Sequence, residues 1–152
     1  MGSAWRGQMQ EDKHQSETST QLSARINSSC FACGLDNPRG LHLNFEKSAH
    51  GEMCASWTPD QTTEGFDGIV HGGLVSTVLD ESMAKAVTAS GADALTVELL
   101  VRFRRHVIAG DAISVCGWVT ESRKRKIRTE ATLTNSHGEE LAHGWASFLV
   151  LK

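Results

Sequence analysis

Gly68-Ile69-Val70-His71-Gly72-Gly73 is followed, seven residues on, by Asp80-Glu81. A polar His-Gly-Gly thus opens an apolar helical run, and that run carries two acids. The first amides of a helix have no intrahelical partner and hold the positive end of the helix dipole. Such a start suits a negative or polarised oxygen. Glycine at Gly72 lets a ligand approach the backbone closely. A carboxylate two turns further along can act on the same or a neighbouring subunit, as nucleophile or as general base on water.

Asp80 lies near the edge of the apolar face, beside Ser76, Met83 and Val87 on the helical wheel. Apolar surroundings raise a carboxyl's pKa. Glu81 sits farther round and four residues before Lys85, the spacing of a favourable surface pair. Asp80 is therefore the preferred acid, and Glu81 stays open.

These residues need elements to hold them. Leu74 to about Ser90 reads as the single long helix, with Leu74, Val75, Val78, Leu79, Met83, Ala86 and Val87 on one broad face. Gly91 is placed to end it. Strand patterns precede it at Leu41–Phe45 and Glu52–Trp57, with a glycine-containing loop at Glu64–Gly68. Four more follow it, at Ala94–Phe103, Ala112–Glu121, Ile127–Thr134 and Leu141–Leu151. One helix cannot cover both faces of a large sheet. The order predicts an α+β chain, a curved antiparallel sheet wrapped around one central helix. Its remaining edge or face needs a partner, so self-association is expected.

The 152 residues fit one domain, with 39% hydrophobic and 22% charged residues. Residues 1–25 are polar and aperiodic and read as a flexible leader; residues 26–152 form the folded domain. A net charge of -3 argues against general nucleic-acid binding. No apolar run approaches the roughly 20 residues of a membrane span. Four cysteines without a secretory leader predict reduced thiols and a cytoplasmic location.

Cys30-Phe31-Ala32-Cys33-Gly34, Asn37-Pro38-Arg39-Gly40-Leu41, Gly68–Gly73 and Leu79-Asp80-Glu81 together resemble the PaaI-type acyl-CoA thioesterases of the hotdog fold. The resemblance spans roughly residues 30–151. It implies homodimers or homotetramers and hydrolysis of an acyl-CoA thioester at the subunit interface. It assigns the polarising N–H to Gly72, with Gly73 beside it. It assigns the catalytic carboxylate to Asp80, supplied by the opposite subunit, though some relatives use a glutamate from this helix. His71 corresponds to a histidine that contacts the thioester or holds the loop. Thr96 matches a hydroxyl that orients the water or the acid. Two departures stand out. Glu64-Gly65-Phe66-Asp67 lacks the amide that many relatives carry before the histidine, and His106 replaces a common proline.

Eight of the 15 Lys and Arg fall in two groups: Arg102, Arg104 and Arg105, then Arg123-Lys124-Arg125-Lys126 and Arg128. Coenzyme A carries a 3′-phosphate and a pyrophosphate, for which Arg and Lys are natural partners. Arg104, Arg105, Arg123, Lys124 and Arg125 are the candidate substrate contacts; a solvated hairpin tip is the plain alternative. Cys30 and Cys33 make a lone Cys-x-x-Cys, short of the four ligands of a structural zinc site. Cys54 and Cys116 stand isolated. No metal and no separate cofactor are expected, coenzyme A being part of the substrate. The rival readings are a non-catalytic acyl-CoA-binding module and an enoyl-CoA hydratase or dehydratase on the same architecture.

Overall fold

The computed structural model describes residues 27–152; the leader expected over residues 1–25 lies outside them. The helix α1, Gly72–Ala89, buries Val75, Val78, Leu79, Ser82, Met83, Ala86 and Val87. It lies against a six-stranded antiparallel sheet. Its strands are β1 (Glu46–Lys47), β2 (Met53–Trp57), β5 (Ala94–Phe103), β6 (Ile113–Arg123), β7 (Lys126–Asn135) and β8 (Glu140–Val150), in the order β1-β2-β6-β7-β8-β5. A separate ribbon pairs β3 (Glu64–Phe66) with β4 (Ile69–Val70) just before the helix. The sheet is open, with β1 and β5 at its edges.

The core forms where helix and concave sheet meet. Leu79, Met83, Val115, Leu133 and Phe148 are almost wholly excluded from solvent. β6 approaches the helix so closely at Gly117 that a Cβ there would lie 2.6 Å from the Ser82 carbonyl carbon. Only glycine lets a strand backbone press against a helix in this way.

The four strands after the helix and Glu52–Trp57 lie within two residues of their expected bounds. Four expectations change. Glu64–Gly68, expected as a loop, carries strand β3 over Glu64–Phe66. The helix begins at Gly72 rather than Leu74, because His71 caps it: Nδ1 accepts from the Gly73 N–H at 2.9 Å. Leu41–Phe45 is not a sheet strand. The Leu41 and Leu43 amides donate to the carbonyls of Phe31 and Ala32, so this segment pairs with the Cys30 turn, and the sheet gains Glu46–Lys47 instead. Cys54 and Cys116, expected as isolated reduced thiols, are joined as a disulfide. They stand opposite one another on β2 and β6 although 62 residues apart in sequence. The inference from reduced thiols to a cytoplasmic address therefore loses its support at this pair. Cys30 and Cys33 are free thiols. Among the described residues, no helix is long and apolar enough to cross a membrane.

Candidate active site

Thr96 and Asp80 come together. The Thr96 hydroxyl donates to Asp80 Oδ1 at 2.8 Å, joining the edge strand to the helix. Burial pushes the Asp80 carboxyl above its ordinary value. The Thr96 hydrogen bond pulls the other way, and the neighbouring Glu81 charge adds to the rise. The result is a half-buried carboxylate held in one orientation.

Glu81, one residue on, has a different setting. Its Oε1 lies 3.5 Å from Lys85 Nζ, and its carboxylate lies within 4.8 Å of the Cys33 sulfur; burial and the nearby Glu81 carboxylate push that thiol up to about 12. Cys33 is thus a protonated thiol rather than a nucleophile. Burial opposes the Lys85 charge, but Cys33 and Glu81 outweigh it and raise its pKa.

The helix start forms a second locus. The Gly73 N–H is taken by His71 Nδ1, and the Leu74 and Val75 amides donate to the His71 carbonyl. The Gly72 N–H has no partner among the described residues. The Phe103 ring lies over Gly72, where an added Cβ would come within 3.3 Å of it. Sequence reasoning missed Phe103, since it contacts the helix only through the β5–β8 register. Beyond it, Phe103, Arg104, Arg105 and His106 line a cavity of about 400 Å³.

The two loci stay apart within one chain. Gly72 and Asp80 are eight residues apart on one helix, which at 1.5 Å per residue is about 12 Å. The basic groups divide likewise. Arg104 and Arg105 follow the end of β5, ion-paired with Glu140 and Glu139. Burial opposes ionisation of Glu140, but the Arg104 hydrogen bond and the His143 ring 3.6 Å away outweigh it and hold its carboxyl below the usual range. Arg123 to Lys126 form the β6–β7 hairpin tip at the opposite end of the sheet. There Arg123 pairs with Glu121 at 2.6 Å, and Arg125 donates to the Val150 carbonyl at 2.9 Å. Lys124 turns the chain with φ 53°.

Strand β5 links the two ends. Thr96 faces Asp80 near its start, and Phe103 covers Gly72 at its finish. A bulge between Thr96 and Glu98 shifts the alternation, so Glu98 meets Ser147 and Arg102 stacks on Trp145 on the other face. Along this unpaired edge Leu95, Val97, Leu99, Leu100 and Phe103 remain exposed.

The thioesterase superfamily model matches residues 67–142, from the loop before the helix into β8. The chain belongs to the thioesterase superfamily. Acyl-coenzyme A thioesterase THEM4 of Xenopus laevis is 24% identical over 108 residues, covering 71% of this chain and 48% of that relative. The chain thus spans about half of that relative's length. The Escherichia coli PaaI protein superposes with a TM-score of 0.69 at 18% identity, covering 74% of this chain and 81% of PaaI. A Streptococcus mutans protein bound to acetyl CoA superposes with a TM-score of 0.67 at 18% identity, covering 71% and 87%. This thioesterase-superfamily chain has the hotdog fold, a curved open sheet around one central helix.

Proposed function

We propose that the chain hydrolyses an acyl-CoA thioester at a site built by two copies. The family and the acyl-CoA thioesterase relative support the reaction class. The observation that carries the two-copy site is the edge strand itself: apolar, unpaired, with Asp80–Thr96 at one end and Gly72 at the other.

A single carbonyl group must sit about 3 Å from an oxyanion donor and within reach of the attacking group. The 12 Å or so along one helix forbids this within a chain. Antiparallel pairing of β5 with β5 of a second copy puts the start of one strand against the finish of the other. The Gly72 N–H of one copy then faces Asp80 of its partner. The same operation brings Arg104 and Arg105 toward the partner's Arg123–Arg125 tip, a basic rim for the phosphates of coenzyme A.

In this site the Gly72 N–H polarises the thioester carbonyl, and His71, through Gly73, holds the turn that presents it. Asp80 works in one of two ways. As base, it takes a proton from water while the hydroxide attacks the carbonyl carbon; the C–S bond breaks and the thiolate of coenzyme A takes up a proton. As nucleophile, it forms a mixed anhydride with loss of the same thiolate, and water then cleaves the anhydride to the free acid. Thr96 orients the carboxylate in both. Glu81, engaged by Lys85 and Cys33, is the weaker candidate.

Thiol release from a panel of aromatic and aliphatic acyl-CoAs tests the proposal. Turnover of at least one ester by the wild type, lost in Asp80→Asn with CoA-ester binding kept, is the expected result. Binding with no thiol release points to an acyl-CoA-binding module, hydration of an enoyl-CoA without thiol release points to a hydratase, and either outcome sinks the hydrolase reading.

A further inference from the structure

The Cys-x-x-Cys pair has no part in the hydrolysis above, yet the fold completes it. We propose that Cys30, Cys33 and Glu81 form a three-ligand site for a thiophilic divalent cation of the zinc class. The two sulfurs and one Glu81 carboxylate oxygen all lie within 4.8 Å of one another. Tetrahedral zinc with bonds of about 2.0–2.3 Å holds neighbouring ligands roughly 3.5 Å apart, so loading needs shifts of an ångström or so. Two thiolates and a carboxylate are a soft-to-borderline donor set, suited to zinc rather than to calcium or magnesium. Water would fill the fourth position.

The site is built rather than incidental. The Gly34 amide closes the Cys30–Gly34 turn on the Cys30 carbonyl at 2.9 Å. A Cβ at position 34 would lie 2.4 Å from the Cys30 nitrogen, so only glycine allows a turn this tight. Ala32, at the turn's apex, is buried in the core, and Leu43 donates its amide to the Ala32 carbonyl at 2.9 Å. These contacts aim both sulfurs at the helix, where Glu81 supplies the third donor. The other cluster of this kind among the described residues, Glu52 with Cys54 and Cys116, has its sulfurs committed to the disulfide. On loading, the two thiols give their protons to solvent, and the cation displaces the Lys85 ammonium from Glu81. The cation then ties the loop before the sheet to the helix that bears Asp80.

Titration of the full chain with Co²⁺ tests this. One equivalent should bind with a thiolate-to-cobalt charge-transfer band, which Zn²⁺ abolishes by displacement. Cys30→Ser and Cys33→Ser should each lose the band, and Glu81→Gln should weaken binding at least about tenfold, since even a group that only supports a ligand is worth about 10- to 100-fold in metal affinity. In the unmodified protein, Zn²⁺ should shield Cys30 and Cys33 from alkylation, a readout that needs no variant to fold. No band, a band that survives Cys33→Ser, a Glu81→Gln titration that matches the wild type, or unshielded thiols would overturn the site. None of these readouts depends on turnover, so hydrolysis and metal binding stand or fall separately.

Discussion

Thr96 reaches from the edge strand to Asp80 on the central helix, its hydroxyl donating to Oδ1 at 2.8 Å. The bond opposes the rise in pKa that burial imposes on the carboxyl. The hydroxyl therefore tunes the charge state of Asp80 as well as its direction.

Thr96→Val removes the lowering contact and keeps the strand-forming shape. The acidic limb of kcat/KM should move to higher pH, because the proposed reaction needs Asp80 ionised to attack or to take a proton. Thr96→Ser should restore the wild-type limb. A pH–rate profile of thiol release measures both.

Asp80→Asn should cut kcat by about 10²–10⁴, the usual contribution of a positioned acid or base. Stability should move the other way. A carboxyl whose folded pKa is raised favours folding below its unfolded pKa, and that contribution is lost as pH rises through the folded value. At neutral pH the buried charge opposes folding, so the amide variant should melt at the same temperature or higher. Thermal melts at pH 7 beside turnover assays check this.

Gly72→Pro should lower kcat about 10²- to 10³-fold, the scale for one lost oxyanion donor. Proline is tolerated as the first residue of a helix. His71 before it already has φ -60° and ψ 129°, which proline requires of its predecessor. Gly72→Ala keeps the N–H and only crowds Phe103, so it should lose less. Circular dichroism confirms the helix while kcat separates the two variants.

Leu99→Arg places a charge on the exposed apolar edge of β5. It should convert an oligomer to monomers and abolish thiol release while each monomer keeps its melting transition. Analytical ultracentrifugation with an activity assay distinguishes this from simple unfolding.

Under non-reducing denaturation, two of the four cysteines should titrate as thiols, and all four after reduction. Peptide mapping should place the bridge between Cys54 and Cys116.

Much of this was legible in the chain because it is local. The 3.6-residue apolar period placed the helix, and the two-residue alternation placed the long strands near their observed ends. His71-Gly72-Gly73 announced a helix start, and the Asp80 wheel position announced a half-buried acid. Leu41–Phe45 misled for a physical reason. Its alternation is real, but its amides pair with the Cys30 turn, a choice no local pattern reveals.

By itself the chain determined the class of fold, the place of the helix and the candidate residues, since periodicity and capping act over a few neighbouring positions. Tertiary structure alone decided that β5 is an edge, that Phe103 lies over Gly72, that Cys54 meets Cys116, and that Glu81 turns toward Cys33 instead of joining Asp80. Those contacts follow from strand order and register, and register is chosen by how distant apolar faces pack together, information that no short stretch of residues carries.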